Sequence, residues 1–303
     1  MADFVRALIR DPNNCHRELI DGWLPPYGFR PSLAAGITFC VLFAVAFFGH
    51  AVQSLRFKKW TSILLAIGAL TETIGWAGRT WSSQCPYNQN AFLMQITTLI
   101  IGPTFFTAAL YVLLGIFIVR LGRASSLISA RMYAIVFCTC DVISLVVQAV
   151  GGAIASMEAG EIGGDTWPGT YIMVAGIAFQ LLTMTVFALL VIDFVRRSLK
   201  LGIPRDYYPL LGALLVSLLM IYIRSIYRTL ELSEGWSGDL IRNQGLFIGL
   251  DAVLMVIAVA VFLVFDPARL SIDTPAQAGI ITVAEAEKGS NNSDRDRISA
   301  EAI

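Results

Sequence analysis

Charge is scarce in this chain. Of its 303 residues 15% are charged, where an ordinary soluble domain carries about 25%. The formal net charge is zero, which excludes the basic footprint of a nucleic-acid binder. Histidine is scarcer still. His16 and His50 are the whole complement, too few for a histidine-rich metal or haem site, and no His-Glu-x-x-His occurs. No Gly-x-x-x-x-Gly-Lys-Ser/Thr loop is present, so the chain holds no ATP motor of that kind. No Gly-x-Ser-x-Gly elbow or other nucleophile–base set is visible. The lysines, Lys58, Lys59, Lys200 and Lys288, all lie outside the apolar runs. A retinal pigment needs a Schiff-base lysine inside its bundle and is therefore excluded. No cofactor, no metal and no enzymatic activity are expected.

Cysteine is also sparse, with 5 in all. Cys40, Cys138 and Cys140 fall within apolar runs and read as small packing residues. Cys138-Thr-Cys140 lacks the further ligands a zinc site needs. Cys15 and Cys85 lie outside those runs. A disulfide between them is chemically allowed if both face an oxidising compartment. Two unrelated free thiols is the alternative reading.

What the chain has in abundance is apolar surface, 56% of residues with a mean hydropathy of +0.68. Seven apolar runs are long enough to span a bilayer, at about 20 residues each. They cover approximately 33–54, 60–81, 91–119, 131–154, 169–193, 208–229 and 246–265. The runs are continuous rather than alternating, which favours helices over a barrel. Pro103 falls inside the third and predicts a bend there. The expected fold is an all-α polytopic membrane protein, a seven-transmembrane-helix bundle over 31–268. A polar arm over 1–30 precedes it and a disordered polar tail over 269–303 follows.

Basic residues of short loops set orientation. Arg56, Lys58 and Lys59 follow the first run, Arg120, Arg123 and Arg131 the third, and Arg196, Arg197, Lys200 and Arg205 the fifth. The alternate loops are poorer in them, with Arg79 bordering one and Arg242 in the last, and hold Glu158, Glu161, Asp165, Glu234 and Asp239. The arm's Arg6, Arg10, Arg17 and Arg30 are offset by Asp3, Asp11, Glu18 and Asp21. The N-terminus is therefore expected outside and the C-terminus in the cytosol. Residues 1–30 lack the apolar core of a cleavable signal peptide, so the first helix is expected to act as the targeting signal.

The ionisable residues inside the runs carry the functional signal. Arg224 and Arg228 are four residues apart, and Glu231 follows three later, so all three share a helix face. Glu72 and Arg79 share a face of the second helix, and Gln148 lies two turns beyond Asp141 on the fourth. Asp251 is about two turns into the seventh. Three acids (Glu72, Asp141, Asp251) can balance three arginines (Arg79, Arg224, Arg228). They predict a polar cluster among helices two, four, six and seven that opens toward the outer side. Gln180 falls near the centre of the fifth helix, and His50 reads as an interfacial polar group at the end of the first. One reading makes the cluster ion-pair glue fixing helix register, at about 1 kcal/mol per contact. The other makes it a site for an amphipathic substrate, with arginine suited to phosphate or carboxylate and a carboxylate suited to an amine.

Several blocks then combine in order. They are Glu72-Thr-Ile-Gly-Trp-Ala-Gly-Arg79, Pro103 with Ala108, Ala109 and Tyr111, and Asp141 with Ser144, Gln148, Gly151 and Gly152. Arg224, Arg228 and Glu231 with Gly235 follow, then Asp251 and Pro267. Together, over roughly 27–270, they resemble the fungal lipid-translocating exporter family. This RTA-like group includes the aminocholesterol-resistance proteins and the sphingoid long-chain-base exporters, and some of its members are associated with porphyrin uptake. The resemblance implies a multi-pass protein of the plasma membrane, with endosomal or vacuolar membrane as the alternative. Its partners would be membrane lipids or amphiphilic small molecules, with a homo-oligomer or a flippase as further candidates. The implied function is export of sphingoid bases or toxic sterol-like compounds, conferring resistance. The alternative is a seven-helix lipid-stress sensor, or a regulator of a separate flippase. Two departures stand out. Gln244 replaces a glutamate that relatives often carry seven residues before the last-helix aspartate, and Asp266-Pro267-Ala268 replaces His-Pro-Gly.

Overall fold

Seven long helices account for nearly all of the described chain in a computed structural model. The structure describes residues 15–265 apart from 19, 21–24, 26, 58, 122–125, 160–164, 202–203 and 236–237. The expected tail, the 266–268 ending, Lys58, Arg123, Glu161 and much of the N-terminal arm lie outside the described residues. Backbone proximity divides the chain into Met1–Pro267 and Ala268–Ile303, and only the first unit contains described residues.

The helices are α1 (Leu33–Phe57), α2 (Trp60–Gln84), α3 (Gln89–Leu121), α4 (Ala130–Ala159), α5 (Trp167–Leu201), α6 (Tyr208–Ser233) and α7 (Gln244–Val264). Each is long and apolar enough to cross a membrane. Each predicted run falls within one of these helices, apart from position 265 at the end of the last. Most of the helices continue past the apolar stretch. Hydropathy marks only the part that lipid would surround, whereas the backbone ladder propagates into the polar interface. In α5 the extension carries an exposed Asp193–Arg197 pair at i,i+4, 2.8 Å apart.

Local chemistry sets several ends. Asn88 Oδ1 accepts from the Ala91 N–H at the start of α3. Asn243 Oδ1 accepts from Gly245 and Leu246 at the start of α7. Pro209 enters the first turn of α6, where a missing N–H costs nothing. Gly235, at φ +75°, stops α6 in the left-handed conformation that favours glycine. Pro103 does not interrupt α3, which is one helix throughout.

Sequential helices pack on one another, and α7 returns to α1 to close the ring. α3 also touches α6 and α7, and it is the most enclosed helix, with 67% of its apolar window buried against 28% for α1, α4 and α5. The polarity is inverted relative to a soluble protein. Val41, Val45 and Phe48 of α1 and Val142, Val146 and Val150 of α4 point outward, while charged side chains point in. In lipid the apolar face needs no burial, so packing depends on small residues and polar contacts.

The α4–α5 seam shows this most directly. A Cβ placed on Gly151 would come within 2.5 Å of the Met173 nitrogen, and one on Gly169 within 2.4 Å of the Ala155 nitrogen. Gly151 and Gly169 therefore let α4 and α5 approach closely, and α4 runs through Gly151-Gly152 without a break. At the far side of the ring His50 is buried, not interfacial as expected. Its ring nitrogens meet Gln53 Oε1 at 2.8 Å and the Val259 carbonyl at 3.1 Å, tying α1 to α7. Gly151→Leu is expected to force α4 from α5 at a cost of roughly 1–3 kcal/mol. A clear fall in the apparent melting temperature of detergent-solubilised protein, absent for an outward Val146→Leu, checks this.

Candidate functional site

The buried face of α6 runs through Ser217, Ile221, Arg224, Arg228 and Glu231, a spacing of alternating four and three that keeps one stripe inward. Arg224 is 6% exposed and spends its guanidinium on two neighbouring helices. Its Nε stands 2.8 Å from Asp251 Oδ1 of α7. Its Nη2 donates to the Leu99 carbonyl of α3 at 2.6 Å. That carbonyl is available for a covalent reason. Pro103, four residues on, has no N–H to give it. Asp251 lies within a π-helical segment, Ile248–Val253. Such a segment closes its hydrogen bonds over one more residue than α and is frequent at functional positions.

Three other acids are buried nearby. Glu231 accepts from Arg228 Nη1 and, at 3.1 Å, from the Tyr227 hydroxyl, all within α6. Glu72 of α2 is 1% exposed, and its Oε1 has no hydrogen-bond partner among the described residues. It lies against α3 at Gly102, where an added Cβ would come within 2.8 Å of Oε1. Asp141 of α4 accepts from Thr107 Oγ1 at 3.1 Å and Tyr111 Oη at 3.0 Å, both on α3. It makes no ion pair among the described residues.

Asp141, Arg224 and Arg228 face one cleft between α3, α4, α5 and α6, whose free volume is about 20 Å³, room for roughly one water. Pro103, Thr107 and Tyr111 form its α3 wall. Gln148 and Gln180 form its α4–α5 wall, where Gln148 Nε2 donates to Gln180 Oε1 at 2.9 Å and to Ser144 Oγ at 2.7 Å. The cleft offers one acid with neutral donors on one side and two arginines already engaged on the other. That arrangement can take a cation at Asp141 and an anion near the arginines.

The expected cluster is therefore redistributed. Asp141, Gln148, Arg224 and Arg228 line the cleft, while Glu72, Glu231 and Asp251 do not. The expected balance of three acids against three arginines does not form. Arg224 pairs with Asp251, Arg228 pairs with Glu231, and Asp141 is held by hydroxyls. Helices three and five, absent from the expectation, supply Thr107, Tyr111, the Leu99 carbonyl and Gln180. The proline at 103 was the sequence signal for the carbonyl. The hydroxyls carried none, because serine, threonine and tyrosine are unremarkable in membrane helices.

Arg79 departs furthest from expectation. It is 2% exposed and meets rings instead of a carboxylate, with its guanidinium carbon 4.5 Å from the Phe247 centroid, 5.5 Å from Tyr27 and 5.8 Å from Trp76. Cation–π contact in a desolvated box is worth about 2 kcal/mol. Tyr27 comes from the N-terminal arm, which is fastened over this end of α2 and α3. The Cys15–Cys85 disulfide, Arg30 Nε donating to the Ser83 carbonyl at 2.7 Å, and the Ile20 N–H donating to Tyr87 Oη hold it there. Tyr27 Oη donates to Gln95 Oε1 at 2.6 Å and sits 3.3 Å from Ser82 Oγ. Burial pushes the Tyr27 phenol up from 10.0 to about 12, although the Arg79 charge and the Ser82 contact oppose the rise.

A ring of seven apolar helices with buried arginines and acids beside an internal cleft defines a multi-pass helical membrane protein with an intramembrane polar site. The chain belongs to the RTA1-like family, since the family model described as "RTA1 like protein" matches residues 65–273. That span contains every cleft residue and excludes the N-terminal arm. The sphingoid long-chain base transporter RSB1 of Saccharomyces cerevisiae is 31% identical over 278 residues, covering 79% of this chain and 72% of that protein. Protein RTA1 of the same yeast is 27% identical, covering 80% of this chain and 84% of its own. Its protoporphyrin uptake protein 1 is 28% identical, covering 78% and 90%. No solved structure matches the chain.

Two outcomes follow from this geometry. Asp251→Asn removes the charge that faces a buried Arg224, and losing one member of such a pair costs about 3–5 kcal/mol. Thermal unfolding in detergent is expected to show a marked loss, with exposed Glu158→Gln unchanged. Tyr27 keeps its proton in the folded state where the unfolded chain has lost it. Its contribution is therefore full below pH 10 and is lost as pH rises toward about 12. Alkaline unfolding in that window is expected to flatten in Tyr27→Phe.

Proposed function

We propose that this protein moves sphingoid long-chain bases, or amphiphiles of like chemistry, across a membrane and thereby confers resistance to them. It does so without an ATPase of its own and without covalent change to the cargo. The observation that carries this reading is Asp141, a buried acid on the cleft wall held by Thr107 and Tyr111 with no ion-pair partner among the described residues. A long-chain base brings an ammonium, hydroxyls and an alkyl tail. The ammonium suits Asp141, the hydroxyls suit Gln148 and Gln180, and the tail suits lipid between helices. Arg224 and Arg228 would then keep the acids behind them in place or take a phosphate. The relative named as a sphingoid long-chain base transporter supports the same substrate class.

The narrowness of the cleft makes this arrangement a closed one, so loading requires the α3–α4 wall to part from α6. For topology we infer that the end carrying the disulfide faces outside, consistent with the oxidising chemistry that a disulfide needs. The basic loops then face the cytosol. The plasma membrane is the location this reading favours.

Transbilayer movement of a labelled long-chain base in liposomes holding only the purified protein tests the reading. Wild type is expected to move the base. Asp141→Asn and Arg224→Ala are expected to slow it by about tenfold or more, as loss of one charge-assisted contact would. A well-folded wild type that moves nothing overturns transport and favours the sensor or regulator.

A further inference from the structure

The acids and arginines inside the bundle do not balance around the cleft. Glu72, Asp141, Glu231 and Asp251 are all buried. Arg224 and Arg228 answer two of them, Asp251 and Glu231. Asp141 has its two hydroxyl donors. Arg79 sits two turns from Glu72 on the same face of α2, about 10 Å along the axis, and is enclosed by rings. Among the described residues Glu72 Oε1 has no hydrogen-bond partner. Asp251 Oδ1 also lacks one, but it stands 2.8 Å from Arg224 Nε, whereas Glu72 has no such ion pair among the described residues. An ionised carboxylate in that position would carry a desolvation penalty of several kcal/mol with nothing bonded to that oxygen.

The surroundings of Glu72 define what can reach it. From α6 come Arg224 and Arg228, and from α7 comes Asp251, the charges it feels most. From α3 comes Gly102, and no charged side chain lies between Gln89 and Ile118 of that helix. From α1 comes Cys40, whose thiol donates to the carbonyl of Thr73, the residue next to Glu72. Glu72 therefore faces two arginines that are each already paired, Arg224 with Asp251 and Arg228 with Glu231.

We propose that Glu72 is a proton-binding site, occupied in this closed state, and that its proton is exchanged for the ammonium of the cargo. The Glu72 carboxyl releases H⁺ to water as the bundle opens and becomes a carboxylate. That carboxylate draws Arg224 away from the Leu99 carbonyl and Asp251. Arg224 lines the cleft, so its displacement reshapes the wall opposite Asp141. One positive charge leaves as the proton and one enters as the ammonium, so the buried charge is unchanged over the exchange. The exchange rests on the proposed transport. The proton site itself rests on Glu72, Arg224, Asp251 and Gly102.

Infrared spectroscopy of the purified full-length protein at neutral pH tests the site. A carbonyl band of a protonated carboxyl, shifted in D₂O, is expected in wild type and in Asp141→Asn and missing in Glu72→Gln. Absence of the band in wild type, or its persistence in Glu72→Gln, overturns the site. Should Glu72→Gln fail to fold, ¹³C-glutamate labelling of wild type replaces it. A band that moves with the label supports the site, and one that does not overturns it. For the exchange, an imposed pH gradient is expected to drive labelled long-chain base into wild-type proteoliposomes. The same gradient is expected to have no effect on Glu72→Gln. Gradient-independent movement with the band intact overturns the exchange and leaves the proton site. A band with no movement at all overturns the transport reading instead.

Discussion

A guanidinium held out of water must find acceptors inside the protein. Arg224 finds them on α7 and α3, and the centre of this bundle depends on that junction. Asp251 supplies charge, and the Leu99 carbonyl supplies a backbone acceptor that Pro103 has released from the α3 ladder. α3 is thereby joined at one side chain to the consecutive pair α6 and α7, far along the chain from it. In a bundle whose outer faces are lipid-like, little hydrophobic force distinguishes one helix arrangement from another. A directional contact of this kind is what selects one.

Around that junction the polar groups form two layers. The cleft wall carries Asp141, Gln148, Gln180, Arg224 and Arg228. Behind it stand Asp251 and Glu231, which set where the arginines point, and Glu72, which pairs with neither. A cluster that served only as glue would pair every acid with a base. This one leaves Asp141 facing the cleft with hydroxyl partners and Glu72 without a donor on one oxygen. The departures from pairing, not the pairs, are the argument for transport.

The end of the bundle that carries the disulfide works differently. There Arg79 faces the quadrupoles of rings instead of carboxylates, and one of the three rings belongs to the arm before α1. The disulfide and the Arg30–Ser83 contact hold that ring in place. The arm thus completes the environment of a membrane arginine, although it lies outside the residues matched to the family.

The spans, their helical character and the inward stripe of α6 were legible in the sequence, because each rests on hydropathy or on the spacing of residues close together in the chain. So were the residues worth asking about, since an ionisable group in a membrane run is costly wherever it lands. Which acid meets which arginine was not legible. Local spacing places Arg224 and Arg228 on one face but cannot reveal that Asp251 arrives from α7 and Asp141 stops short of both. Nor could it bring Tyr27 to Arg79, or turn His50 from an interface residue into a buried tie. The sequence by itself determined seven membrane-length helices and a polar interior. Only the tertiary structure decided the partners, because they are set by how helices far apart in the chain pack against one another.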